Sequence, residues 1–303
     1  MIRIFGTIFA GLLGLAFGSF LNVCLTRWPQ GESIVHPRSH CRNCDHTLSG
    51  WENIPLVSWL ALRGRCRNCK TPISWRYPLV ELAVGALWAH EVWIFLAPAL
   101  DPNVPSISPF LHYNVYNSLG AAVGKMIFLW LLIALAALDA EQLWLPDFLT
   151  LTGIALGVVG SAIHRAVGDR YSDAPSPSAI REGVETAIVS AFAILAAALL
   201  ILIIRWLYKL IRHREGIGLG DVKLMALLAA WLGISGALLS FAIGVVLGAL
   251  VAVVLLIAPR KESDSSEWSL RKLPLGTFLC IGGIISALSG QPIIAAYLHW
   301  AGF

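Results

Sequence analysis

Long apolar runs alternate with short polar breaks along almost the whole chain. Each run holds about 20 residues, which is the length of a helix that crosses the hydrocarbon core of a bilayer. The pattern therefore predicts an all-α polytopic membrane protein with about eight transmembrane helices. The predicted spans lie near Ile4–Leu25, Leu79–Ala97, Leu119–Leu138, Phe148–Ile163, Ala187–Leu207, Val222–Ala237, Leu238–Ala258 and Leu275–Leu298.

Composition supports a membrane protein and excludes a soluble domain. The chain is 57% hydrophobic and 13% charged, with a mean hydropathy of +0.73. The first apolar run has the position of a signal peptide, but one arginine precedes it and Gly18–Cys24 is not a small-residue cleavage site. We therefore interpret that run as a retained span.

Positive charge predicts the orientation of the spans. Lysines and arginines concentrate in Arg27–Tyr77, Arg205–Lys223 and Arg260–Lys272, whereas Pro98–Ser118 has none. With eight spans the three basic segments share one side of the membrane, which the positive-inside rule makes cytoplasmic. Both termini then lie outside.

One basic segment carries a repeated cysteine motif about 20 residues apart, a spacing typical of a four-thiolate zinc site. The predicted ligands are Cys41, Cys44, Cys66 and Cys69. A loop this small has little core, so zinc can supply its folding energy. Two disulfides are the alternative, which a reducing cytoplasm disfavours. The other two cysteines, Cys24 and Cys280, sit in apolar runs and are interpreted as buried thiols.

Two aspartates at the edges of apolar runs are candidates for chemistry, because carboxylates are costly beside a bilayer. Asp139 ends the third run, where its charge opposes the helix dipole. Asp221 follows Gly216, Gly218 and Gly220, which permit close backbone approach and unusual dihedrals. Helix capping is the alternative for Asp221. The predicted topology puts both aspartates on the cytoplasmic side.

The segment between the third and fourth spans is acidic. Asp139, Glu141 and Asp147 fall within nine residues that contain no lysine or arginine. Such a segment suits a positively charged substrate, although a solvated turn of chance composition explains it equally well. Asp147 follows a proline and precedes an apolar run, so we interpret it as a helix N-cap.

Several motifs together resemble the prepilin peptidases, which are membrane aspartic proteases that also N-methylate their product. The resemblance covers nearly the whole chain. In this family the motif at Leu273–Gly276 usually reads proline-phenylalanine-glycine, so Leu275 departs mildly from the pattern. Besides the paired cysteine motifs, the matching segments are Gly18–Val23, Arg27–Pro29, Trp51–Ser58, Arg76–Glu81, Leu138–Asp147, Gly218–Lys223 and Leu273–Gly276.

The resemblance implies a catalytic pair of Asp139 and Asp221, with the four cysteines as structural zinc ligands. It also implies a multi-pass protein of the bacterial inner membrane that acts on prepilins or on the pseudopilins of type II secretion, and no nucleic-acid partner. The implied organisation is a first helix over residues 1–26, a cytoplasmic zinc domain over 27–78 and a membrane peptidase domain over 79–303.

The implied methyl donor is S-adenosylmethionine. The sequence contains no glycine-rich nucleotide fold, so the residues that bind the donor are not identified. Glu81 and the cysteine loop are candidates, and a structural ion pair between Glu81 and a loop arginine is the alternative.

Two other classes of function fit parts of the sequence. A transporter or channel can use membrane carboxylates to bind cations or protons. That class does not explain the cysteine loop or the glycines around Asp221. A membrane scaffold that docks partners through the cysteine loop predicts that replacing Asp139 or Asp221 is harmless.

Overall fold

The computed structural model of the 303-residue chain describes residues 1–96, 109–170, 179–214, 218–257 and 273–302. Gly216, the basic segment Arg260–Lys272 and most of Pro98–Ser118 lie outside the described residues. Within those ranges the chain forms helices, and the only strand-like pairings are two isolated β-bridges. The predicted all-α fold is confirmed.

Seven helices of the described ranges are long and apolar enough to cross a membrane. They are α1 (Ile2–Arg27), α3 (Arg76–Phe95), α4 (Pro109–Gln142), α5 (Asp147–Arg170), α6 (Ala179–Arg212), α7 (Leu219–Ile257) and α8 (Leu275–Trp300), and the short α2 (Val57–Ala61) lies in the loop between α1 and α3. The chain divides into two compact units, Met1–Ala134 and Leu135–Phe303.

In the first unit, α1 and α3 pack with almost no space between their backbones. A Cβ atom added to Gly18 would lie 2.7 Å from Glu81 Cα, and one added to Gly14 would lie 2.9 Å from Gly85 Cα. Small residues four positions apart allow this approach, as in many membrane helix pairs. The contact fixes the two helix ends between which the cysteine loop is held.

The second unit contains a reversal inside α7. Cβ atoms added to Gly220 and Gly276 would both contact the Leu145 side chain, at 3.1 and 3.0 Å, so the starts of α7 and α8 are neighbours. A Cβ added to Gly244 would lie 3.1 Å from Leu279 N, one turn into α8. A straight helix would carry Gly244 about 36 Å away from Gly220. The helix must therefore fold back between them.

The reversal occurs at Gly233, whose backbone has φ 69° and ψ −179°. That conformation is nearly restricted to glycine, since a Cβ atom would clash with the backbone. The sixth and seventh predicted spans are thus the two arms of α7, residues 219–232 and 234–257. We predicted the division after Ala237, which is four residues too late.

The first arm of α7 is the buried centre of the second unit. Seven consecutive residues from Leu224 to Ala230 are each at most 6% exposed. A helix that is apolar and buried on every side must be surrounded by protein. The whole of α7 packs against α5, α6 and α8, and Trp231 at the end of the first arm donates a hydrogen bond to Gly153 O of α5.

Candidate active site and metal centre

Asp139 lies in the last turn of α4, where it is 5% exposed. Its Oδ2 accepts a hydrogen bond of 2.6 Å from the backbone N–H of Thr277, and the Thr277 hydroxyl oxygen is 3.1 Å away. Thr277 is in the first turn of α8, where N–H groups have no partner within the helix. The positive end of α8 therefore compensates the charge that opposes the dipole of α4.

Asp221 lies in the first turn of α7 and is 9% exposed. Its Oδ2 accepts a hydrogen bond of 3.1 Å from the backbone N–H of Gly218, the residue before the helix. Asp221 is therefore not the N-cap residue itself, but its carboxylate reaches back to the residue before the helix, as the acidic member of a capping box does. Asp221 also interacts electrostatically with Asp139, so the two carboxylates are neighbours.

The glycines beside the two aspartates leave room for close packing and do not adopt unusual backbone dihedrals. Neither Gly218 nor Gly220 has a positive φ, contrary to our prediction. A Cβ atom on Gly276 would lie 2.9 Å from Asp139 Cγ. Only glycine at that position lets α8 bring its N–H groups so close to the carboxylate.

The acidic segment is shorter and less negative than predicted. Asp139 and Glu141 belong to α4, and only residues 143–146 separate it from α5. Asp147 is the first residue of α5, and its Oδ1 pairs with Lys223 Nζ at 2.5 Å. Lys223 follows Asp221 by two residues, so the fold adds a cation to a segment that has none in sequence.

The four cysteines of the repeated motif meet in one cluster. Their Sγ atoms all lie within 4.8 Å of one another, with Cys41 and Cys69 at 3.7 Å and Cys44 and Cys66 at 4.0 Å. Tetrahedral zinc bound to thiolates at 2.3 Å requires sulfur atoms about 3.8 Å apart. All six cysteines of the chain are described, and all are free thiols, so the geometry fits a metal and not disulfides. Cys24 and Cys280 are fully buried, as predicted.

The two halves of the cluster make matching hydrogen bonds. Cys41 N–H donates to His46 O and Cys66 N–H donates to Thr71 O, each at 2.9 Å. Asn43 Nδ2 lies 3.6 Å from Cys69 Sγ, and Asn68 Nδ2 lies 3.6 Å from Cys44 Sγ. Each half therefore donates an amide to a sulfur of the other half.

Hydrogen bonds also favour the ligating form of one thiol. Bonds with the side chain and backbone of Thr71, together with the Asn43 amide, lower the pKa of Cys69 to about 5. A thiolate at neutral pH is the form that binds metal. The residues present therefore fit a four-thiolate metal site.

Two buried glutamates support the cysteine loop. Glu52 accepts hydrogen bonds from the Ser49 hydroxyl and backbone N–H, which lower its pKa to about 2. Glu81 Oε2 accepts a bond of 2.8 Å from Leu56 N–H and also interacts with the Ser19 hydroxyl. Leu56 has a φ of 59°, a strained conformation for leucine, which this bond helps to hold.

Profiles of two protein families match the chain. The Bacterial Peptidase A24 N-terminal domain matches residues 12–95, which include the cysteine cluster, and the Type IV leader peptidase family matches residues 126–253, which include both aspartates. Thr277 lies beyond the second match. The two candidate sites thus fall in different profiles.

Curated proteins named prepilin leader peptidase/N-methyltransferase match almost the entire chain. The protein of Stutzerimonas stutzeri is 32% identical over 96% of this chain and 93% of its own length, and that of Pseudomonas putida is 34% identical over 97% and 94%. The chain belongs to the prepilin leader peptidase/N-methyltransferase family. A further member, from Burkholderia pseudomallei strain 1026b, is 34% identical over 94% of this chain and 85% of its own length. No solved structure matches the chain.

Membership of the prepilin leader peptidase/N-methyltransferase family confirms the resemblance drawn from the motifs. Sequence reasoning missed the contact of Thr277 with Asp139 and the ion pair of Lys223 with Asp147. Thr277 directly follows the Leu273–Gly276 motif, and its place in the first turn of a helix was the available signal. Nothing in the sequence pairs Lys223 with Asp147.

Proposed function

We propose that the protein removes the leader peptide of type IV prepilins or pseudopilins and then N-methylates the new N-terminus. The observation that carries the proposal is the pair of buried carboxylates in the second unit. Asp139 and Asp221 each accept a backbone N–H at the start of a helix. Family membership supplies the substrate class.

The proposed cleavage uses the two carboxylates as an acid–base pair. Neighbouring buried carboxylates do not both ionise readily, so they share a proton. The ionised member takes a proton from water, which attacks the scissile carbonyl carbon, while the protonated member donates to the carbonyl oxygen. When the tetrahedral intermediate collapses, the carbonyl-oxygen proton returns to the carboxylate that gave it. The C–N bond breaks, and the other carboxyl group gives its proton to the leaving amine nitrogen. Thr277 N–H and Gly218 N–H orient the two groups, and no covalent enzyme intermediate forms.

The proposed location of this chemistry is the cytoplasmic face of the inner membrane. The basic segment Arg27–Tyr77 favours a cytoplasmic loop between α1 and α3. A substrate held by its own apolar helix would present its leader at that boundary. A basic leader would meet acidic Glu141, which is exposed at the end of α4.

The proposed metal is zinc, bound by the four cysteines. A site closed by four thiolates has no open position for water or substrate, so its role is structural. It holds the two halves of the loop together, which a segment with so little core cannot do alone.

The proposed methyl donor is S-adenosylmethionine. In the transfer, the lone pair of the new N-terminal amine bonds to the methyl carbon, the carbon–sulfur bond breaks toward sulfur, and the amine releases a proton to water. This step needs a donor site in addition to the two aspartates.

A single incubation tests both activities. Purified protein in lipid receives a synthetic prepilin and isotopically labelled S-adenosylmethionine, and mass spectrometry scores the cleaved and methylated products separately. We expect a shortened product that gains one labelled methyl group. An uncleaved prepilin would contradict the peptidase proposal, and a cleaved but unlabelled product would contradict the methyltransferase proposal.

A further inference from the structure

A cavity of about 520 Å³ lies in the first unit between the cysteine loop and the ends of α1 and α3. Its volume is in the range of roughly 300–1,000 Å³ that encloses small-molecule ligands. The cavity does not include the residues proposed for cleavage, because the two aspartates belong to the other unit. Its wall includes Ser19 and Asn22 of α1, Glu81 of α3, and Glu52, Trp59 and Cys66 of the loop.

Three polar side chains of the cavity wall are more than nine-tenths buried. Asn22 is 1% exposed, Glu52 is 5% exposed and Glu81 is 6% exposed. Asn22 Oδ1 and Glu52 Oε1 accept no hydrogen bond from the described part of the chain. Buried acceptors without a donor are costly, so their presence at a cavity indicates a ligand that supplies donors.

One buried carboxylate of the wall, Glu81, favours a cationic group on the ligand. The partners of Glu81 are the Leu56 N–H and the Ser19 hydroxyl, both of them neutral groups. A buried carboxylate held only by neutral donors lacks the counter-charge that usually accompanies it. A bound cation would provide that charge.

All three arginines of the wall have other partners, and that of Arg67 is the ring of Trp51, 5.2 Å from its guanidinium. Arg27 donates to the backbone oxygens of Ser33 and Pro37, at 2.8 and 2.6 Å. Arg42 pairs with Glu32 at 3.3 Å on the exposed rim. None of these contacts involves Glu81, whereas Glu52 Oε2 lies 3.4 Å from His46 Nε2.

We propose that this cavity is the S-adenosylmethionine site and that Glu81 is the residue that counters the positive charge of the donor. The inference rests on the proposed methyltransferase activity and locates it in the first unit. S-adenosylmethionine carries a sulfonium cation, an ammonium group with hydrogen-bond donors, and an aromatic base. The wall offers carboxylates, free acceptors, and the aromatic rings of Trp59 and Tyr77.

The ligand loses its positive charge in the reaction, which favours release of the product. Methyl transfer turns the sulfonium into a neutral thioether, so S-adenosylhomocysteine loses the charge that Glu81 counters. The site therefore binds the donor more tightly than the product. Loss of the Glu81 charge should remove this preference.

The four-cysteine cluster forms one side of the cavity. Cys41 and Cys66 line it, and Leu56, held by Glu81, begins the short helix that carries Ser58 and Trp59. A disrupted cluster would open the cavity on that side. Metal and donor binding are thus coupled through structure without the metal touching the methyl group.

The test measures binding directly, by equilibrium dialysis of labelled S-adenosylmethionine and S-adenosylhomocysteine against full-length protein in lipid. Glu81→Gln removes the counter-charge, and Ser58→Phe fills the cavity without touching Glu81. Glu91→Gln is the matched control, because Glu91 is also buried on α3 but pairs with Lys125 and does not line the cavity. Zinc content and prepilin cleavage report whether each variant is folded.

We expect Glu81→Gln to raise the Kd for S-adenosylmethionine about tenfold or more while changing that for S-adenosylhomocysteine much less. Ser58→Phe should weaken both ligands, and Glu91→Gln should weaken neither. Cleavage should persist in all three. Ultraviolet cross-linking of labelled donor to the unaltered protein should label peptides that contain Asn22, Trp59 or Glu81.

Two results would overturn the inference and are distinguishable from each other. If the unaltered protein methylates its product but both cavity variants bind the donor normally, or the label maps to the second unit, the site is elsewhere and the proposed function stands. If the unaltered protein neither binds nor uses the donor, the methyltransferase proposal fails together with its site.

Discussion

The backbone N–H of Thr277 donates a hydrogen bond of 2.6 Å to Asp139 Oδ2, which joins the start of α8 to the end of α4. The bond comes from a main-chain group, so its position depends on the backbone of α8 and not on the threonine side chain. Gly276 allows the approach. The position of the Asp139 carboxylate therefore depends on how the start of α8 packs against the end of α4.

Replacing Gly276 by alanine should slow cleavage without unfolding the protein. The added Cβ would lie 2.9 Å from Asp139 Cγ and would push the carboxylate away from its position. A shift of this kind costs about tenfold to 100-fold in kcat. Kinetics with a synthetic prepilin check this, with Gly160→Ala as control because Gly160 faces open space. Equal rates for the two variants would contradict the proposed role of the contact.

Asp147→Asn should retain most of the cleavage activity. Its carboxylate is 62% exposed, and its ion pair with Lys223 is of a kind that contributes about 1 kcal/mol or less. Cleavage and the thermal midpoint should both stay close to those of the unaltered protein. A dead Asp147→Asn variant beside an active Asp139→Asn variant would mean that the wrong aspartate has been assigned.

Removing two of the proposed zinc ligands should harm the loop before it harms cleavage. Cys41→Ser/Cys66→Ser takes one sulfur from each half of the cluster, so we expect loss of about one zinc per chain by elemental analysis. Slow cleavage that rises with prepilin concentration should remain, because the aspartates lie in the other unit. A stably folded double variant with no cleavage at saturating substrate would place the metal domain in the catalytic machinery.

Gly233→Ala should destabilise the protein more than any ordinary helical substitution. Alanine would have to adopt φ 69° and ψ −179° at the reversal of α7, at a cost of about 1–3 kcal/mol. The thermal midpoint in detergent measures the effect. Gly160→Ala again serves as control, since alanine in an open helical position is neutral or stabilising by up to about 1 kcal/mol. An unchanged midpoint for Gly233→Ala would argue against the reversal.

The sequence predicted features that depend on local pattern. Span-length apolar runs specify the membrane helices, and two cysteines within one tight turn bring their sulfur atoms together regardless of the remaining fold. The cluster of Cys41, Cys44, Cys66 and Cys69 followed from two such turns. Asp139 was identified because its charge opposes the dipole of its own helix.

Features that depend on long-range packing were not predictable in the same way. The shorter contact of Thr277 with Asp139 comes from a backbone N–H, which almost any residue type supplies, so the residue type alone gives little signal. The reversal at Gly233 is hidden because glycine is frequent in membrane helices and the apolar pattern runs through it. Lys223 and Asp147 are 76 positions apart, and only the fold makes them partners.

The central claim is that Asp139 and Asp221 together cleave the prepilin. Replacing either by asparagine keeps the size of the side chain and a hydrogen-bond acceptor but removes the acid–base group. General acid–base catalysis contributes about 100-fold to 10,000-fold for each group, so each variant should lose nearly all activity. Zinc content and labelled donor binding should be unchanged, because the proposed zinc and donor sites lie in the first unit and the two aspartates lie in the second.

The most direct measurement is therefore single-turnover cleavage of a synthetic prepilin by Asp139→Asn and Asp221→Asn, each reconstituted in lipid at saturating enzyme. The account predicts leader release at least about 100-fold slower with either variant than with the unaltered protein, while both still bind S-adenosylmethionine and zinc. Leader release by either variant at close to the rate of the unaltered protein would contradict it.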